Sequence, residues 1–155
     1  MSACPAPSPG HLRAGQLIGM IALTFTEFEK DVEACLQSMT GSESFATRRM
    51  RKKLSFSGKL DTVYGTLAEQ HAADPIRLVA LRRWRRRLER FRIHRNGLVH
   101  GTWDEATQTI RHQPLAEELE RGRTRFNLHE LSSELDALRQ FRTTTQHDWF
   151  TPKPA

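Results

Sequence analysis

Arg95, Asn96 and His100, in the stretch HRNGLVHGTWD from His94 to Asp104, are residue types that can act together on a phosphodiester. An imidazole exchanges protons near neutral pH without special tuning. A guanidinium carries a fixed charge in a fork that matches phosphate oxygens. Asn96 adds a donor and an acceptor beside it. Attack of a ribose 2′-hydroxyl on the adjacent phosphate needs a proton acceptor and a positive charge on the phosphorane. That chemistry calls on no metal.

A plainer reading of the same residues is a helix stop. A cation in a last turn interacts favourably with the carbonyl end, Gly97 can serve as the C-cap, and His100 is then a loop residue. Phase argues against it. The apolar stripe Leu78, Leu81, Trp84, Leu88, Phe91 extends by steps of four and three to Arg95 and then Leu98. A guanidinium on that stripe has to be paired or face water, because an unpaired buried cation is costly. If the helix ran on from Arg95 to His100, the intervening rotation of about 500°, about 140° net, would make the two side chains diverge. Convergence then requires a helix end at Gly97 or a second subunit across a two-fold axis.

The elements that must hold these residues are mostly helices. Ile18, Ile21, Phe25, Phe28, Val32, Cys35 and Met39 predict an amphipathic helix from about His11 to Met39. After a basic stretch from Phe45 to Lys53, Leu60, Val63, Tyr64 and Leu67 mark a second helix, with Leu54 in the same phase and Ser57 or Ser55 as its cap. Asp74-Pro75 opens a third helix, expected to run to about Asn96. Short β-prone pieces at Thr102-Trp103 and Thr109 to His112, joined by the turn DEATQ, predict a hairpin, and RTRFNL is a further β-prone piece. The NLHE spacing at Asn127 to Glu130 opens a final helix. The expected architecture is an all-α fold of four main helices with a short β-hairpin before the last. A Pro-rich tail covers residues 1–10, one helical domain covers 11–150, and a short tail covers 151–155.

Charge is concentrated. The chain carries a formal +6, but the nine arginines and single acid between Arg77 and Arg95 hold +8 of it, leaving −2 elsewhere. A local patch of that kind points to a polyanion, and nucleic acid leads. Cys4 and Cys35 form no disulfide framework and fit a reducing cytoplasm. The longest apolar run, LIGMIAL, is too short to span a bilayer, and the opening residues lack the pattern of a signal peptide. The seven histidines lack metal-ligand spacing and the glycines form no phosphate loop, so no metal or cofactor is expected.

The RNGLVH stretch resembles the R-x(4–6)-H motif of the HEPN superfamily, in which a polar residue, often Asn, follows the arginine. Its position near the end of a late basic helix and the helix order over roughly residues 11–150 resemble that family as well. The resemblance implies a four-to-five-helix HEPN-like bundle, commonly dimeric, and in many members a metal-independent endoribonuclease. Carried over, it makes His100 the general base or acid at the 2′-hydroxyl. Arg95 becomes the phosphate-stabilising cation, and Asn96 the residue that orients one of them or the substrate. Cleavage would leave a 2′,3′-cyclic phosphate or its opened product. Arg92, His94 and Trp103 are expected to contact the nucleic acid, Trp103 by base stacking. The expected partners are RNA, a second copy of the chain and an antitoxin or other regulatory protein. Two rivals remain: a catalytically silent dimeric or RNA-binding module of the same fold, and a helical DNA-binding regulator using the Arg82 to Arg90 surface.

Overall fold

A computed structural model of the chain describes residues 6–41, 49, 52–111 and 125–151. Cys4 and most of the basic stretch from Phe45 to Lys53 lie outside them. Among the described residues, four long helices and a small antiparallel sheet follow in chain order. They are α1 (Pro9–Thr40), α2 (Phe56–Gln70), α3 (Pro75–Val99), β1 (Thr102–Asp104), β2 (Thr109–Arg111), β3 (Arg125–Asn127) and α4 (Leu128–Thr145), with a π-helical turn at Gln146–Phe150. The fold is therefore mostly helical, with the short hairpin before the last helix. Among the described residues, no helix is long and apolar enough to cross a membrane.

Local signals fix most of the boundaries. Pro9, not His11, opens α1, because the Ser8 hydroxyl accepts from the His11 amide at 3.1 Å and caps the first turn. Ser55 rather than Ser57 caps α2, accepting from the Gly58 amide at 3.2 Å. Leu54 stays outside α2 and is exposed, while Leu60, Val63 and Leu67 are buried. Asp74 caps α3 by accepting from the Arg77 amide at 3.0 Å. Asn127 and Glu130 form a reciprocal capping box on α4, each side chain accepting from the other's amide at 2.9 Å.

The end of α3 differs from the sequence expectation. The helix does not stop near Asn96 but continues to Val99, with the His100 amide still reaching the Asn96 carbonyl at 3.3 Å. Gly97 keeps ordinary helical backbone; Gly41 is the positive-φ glycine among the described residues. Leu98 is 1 % exposed, and burying it holds the extra turn.

The chain divides into two compact units. The first comprises Met1–Phe25 and Glu89–Phe141, and the second Thr26–Leu88 and Arg142–Ala155. In the first, the core gathers the start of α1, the end of α3, the sheet and most of α4. Phe91 and Phe141 lie 5.3 Å apart, and the buried seam of α1 begins at Ala14 and Leu17 rather than at Ile18. The sheet runs β1-β2-β3, with Trp103 opposite Ile110 and Ile110 opposite Phe126, so its apolar side chains share one face.

In the second unit the C-terminal aromatics pack back. Phe150 meets Phe28 at 6.3 Å and Trp84 at 6.2 Å, and the Trp84 indole N–H donates to the buried Thr145 hydroxyl at 2.8 Å. Arg142 donates to Asp31 and Glu27, and hydrogen bonding to Asp31 is the leading reason its pKa is raised. The lone described cysteine, Cys35, is buried, and burial pushes its thiol up to about 11.

Candidate functional site

The site is assembled at the end of α3, within the first unit. Because the helix continues through Gly97, Arg95 and His100 sit on one uninterrupted turn pattern, about 140° apart around the axis. Arg95 is half-buried, its guanidinium 4.8 Å from the centre of the Phe25 ring. That cation–π contact is what the buried phase of the stripe provides for the charge. Asn96 is half-buried, whereas His100 and Val99 are exposed at the helix end. The motif thus sits at one helix terminus, with Arg95 and His100 on different sides of the helix axis.

Gly101 makes the exit from that helix possible. A Cβ added there would lie 2.7 Å from the Arg111 carbonyl oxygen and 2.8 Å from the Ile110 side chain. Only a residue without a side chain lets the backbone pass directly from the last turn into β1, close against β2. Gly101 therefore sets where His100 is presented. Its signal in the sequence is a glycine immediately after the motif and just before a β-prone pair.

The residues expected to contact nucleic acid fall into three environments. Arg92 is held in a bidentate fork by Glu89, at 3.0 and 2.6 Å. His94 is only 8 % exposed, with Nδ1 2.7 Å from the Glu134 carboxylate and its ring edge-on to Phe126 at 5.3 Å. Trp103 is half-buried on β1 and stacks on His11, with ring centres 6.2 Å apart and an interplanar angle of 13°. The neighbouring turn is tied by hydrogen bonds. Asp104 accepts from Ala106 and Thr107 and Glu105 from Ser8, which lowers both carboxyls, chiefly through Thr107 and Ser8 respectively.

Glu134 is the residue that reasoning from the sequence missed. It shares the phase of Leu131, Leu138 and Phe141 on α4, as Arg95 shares the phase of the α3 stripe, so the same criterion finds it. The His94–Glu134 pair ties the turn carrying Arg95 to α4. It also lines one side of a pocket of about 540 Å3 whose rim includes Arg90, His129 and Ser133. Set against protein-family models, characterised proteins and solved structures, the chain matches none.

Proposed function

We propose that the chain is a HEPN-like, metal-independent endoribonuclease that works in the cytoplasm as a homodimer. The observation that carries this reading is RNGLVH at the terminus of an arginine-rich helix, with the imidazole of His100 exposed and Arg95 on the buried stripe. In the reaction, His100 accepts the proton of a ribose 2′-hydroxyl and the 2′-oxygen attacks the adjacent phosphorus. The bond to the 5′-oxygen breaks, and that oxygen leaves with a proton from a second imidazole or from water. Arg95 offsets the charge that gathers on the phosphorane, and Asn96 orients the guanidinium or the substrate.

A second copy is integral to the proposal, since one helix cannot turn both groups to the same phosphate. One face of α1 supports a paired arrangement. Leu12, Gly19 and Leu23 lie in one row, flanked by Gly15 and Met20; the leucines are 60 % and 68 % exposed, and Gly15 and Gly19 open onto free space. Exposed apolar side chains around glycine notches allow a second helix to approach closely.

A single-stranded RNA incubated with the chain in the presence of a chelator tests the reading. Products ending in 2′,3′-cyclic phosphate are expected, with His100→Ala and Arg95→Ala each slowing cleavage at least about 100-fold. Both variants should keep the parent's helical circular dichroism. Equal cleavage by the parent and both variants would remove the enzyme. The second reading, a silent dimeric or RNA-binding module, is favoured by the contact of Arg95 with Phe25. On that reading Arg95→Ala lowers stability and no cleavage is seen from any form.

A further inference from the structure

Nine arginines lie between Arg77 and Arg95, and seven of them sort clearly by what is within reach. Arg77 stacks 4.4 Å over Trp149 and donates to the Asp148 carbonyl. Arg85 is paired with Asp61 and covers Tyr64. Arg92 is held by Glu89 and Arg95 by the Phe25 ring. Arg82, Arg83 and Arg86 are different. They are exposed, and among the described residues none has a carboxylate partner; Arg82 reaches only the Leu78 carbonyl of its own helix, at 3.4 Å.

These three occupy one arc of about 100° on the solvent side of α3 and span about 6 Å along its axis. Their spacings, i to i+3 and i to i+4, place like charges side by side, which destabilises a helix unless something opposes it. Guanidinium forks suit phosphate oxygens, and neutralising phosphates releases counterions. We infer that Arg82, Arg83 and Arg86 form a binding site for the phosphodiester backbone of RNA, read without regard to base sequence. The inference rests on the reading of the chain as acting on RNA, and it assigns the backbone contacts to the half of α3 that precedes Glu89. An acidic amphipathic protein is the alternative occupant, because Ile76 and Val79 are 82 % and 43 % exposed on the same helix. Val79 shares the arc of these arginines and Ile76 borders it, but three guanidinium forks against two apolar side chains favour the polyanion.

The test uses the full chain carrying His100→Ala, so that the probe survives, and a labelled oligouridylate of about 20 nucleotides. Anisotropy is followed between about 50 and 200 mM salt. Adding Arg82→Gln, Arg83→Gln and Arg86→Gln together should flatten the slope of log affinity against log salt by about 2 and weaken binding at low salt at least about tenfold. Arg139→Gln, on α4 beside Asp136, should leave the slope unchanged. The inference is overturned if the triple variant keeps the parent slope, or if the parent does not bind the probe. It is overturned equally if Ile76→Ser with Val79→Ser costs as much binding as the triple change. Binding and cleavage fail separately: RNA bound through these arginines but never cut would remove the nuclease and leave the site. Cleavage with a salt slope indifferent to the triple change would do the reverse.

Discussion

Arg92 and Arg95, on the part of α3 after Glu89, and Arg83 and Arg86, on the part before it, share a residue type and a helix but not an environment. After Glu89 these side chains are engaged: Glu89 takes Arg92, the Phe25 ring takes Arg95, and Glu134 pairs with His94. Before it, Arg77 and Arg85 are engaged as well, whereas Arg82, Arg83 and Arg86 are exposed and, among the described residues, have no carboxylate partner. Local charge density in the sequence therefore does not report where charge is available. The engaged side chains are suited to holding a few groups in fixed positions, and the open part formed by Arg82, Arg83 and Arg86 to a non-specific electrostatic contact.

Substitutions that test this contrast rank by size. Phe91→Ala, in the engaged part, should have the largest effect, about 3–5 kcal/mol of lost stability, because it empties a site 2 % exposed and removes the Phe141 contact. Chemical denaturation gives the value; a loss under about 1 kcal/mol would mean the end of α3 is not anchored as described. Gly101→Ala comes next, at about 1–3 kcal/mol, since its Cβ would meet the Arg111 backbone. It should also reduce any cleavage, by moving His100.

Glu134→Ala follows at a similar or smaller cost, about 1–3 kcal/mol, by leaving His94 buried without its carboxylate. Thermal melts of Glu134→Ala and of the double variant with His94→Ala sharpen the point. If the pair is coupled, the double variant loses less than the two singles combined. Arg83→Gln should change stability by less than about 0.5 kcal/mol. A large loss there would show that the open part is not open.

A small pH effect is tied to the turn between β1 and β2. Asp104 and Glu105 are lowered on folding, so the stability they contribute is complete above the ordinary carboxylate range. It fades as pH falls through their lowered values. Amide exchange in the turn, protected at neutral pH and released in acid, checks the direction; protection that rose in acid would contradict it.

Much of this was written locally. Asp74 before Pro75, the Asn127–Glu130 box and the alternating apolar steps are short-range devices acting within about one helical turn, so they predicted α3, α4 and the buried faces directly. The placement of Arg95 on the buried stripe was legible for the same reason. The end of α3 was not, because Gly97 is a permissible stop and only the burial of Leu98 decides against it. The choice of Ser55 over Ser57 likewise turned on which hydroxyl met a free amide.

By itself, then, the sequence determined the helices, the short hairpin and a motif of arginine, asparagine and histidine at a helix terminus. Tertiary structure alone decided that His94 finds Glu134, that Arg95 lies on Phe25, and that Arg82, Arg83 and Arg86 keep no acid partner among the described residues. The reason is range. Caps and periodicity depend on neighbours a few residues away, whereas partners for a charge come from segments far along the chain, and only packing brings them within hydrogen-bonding distance.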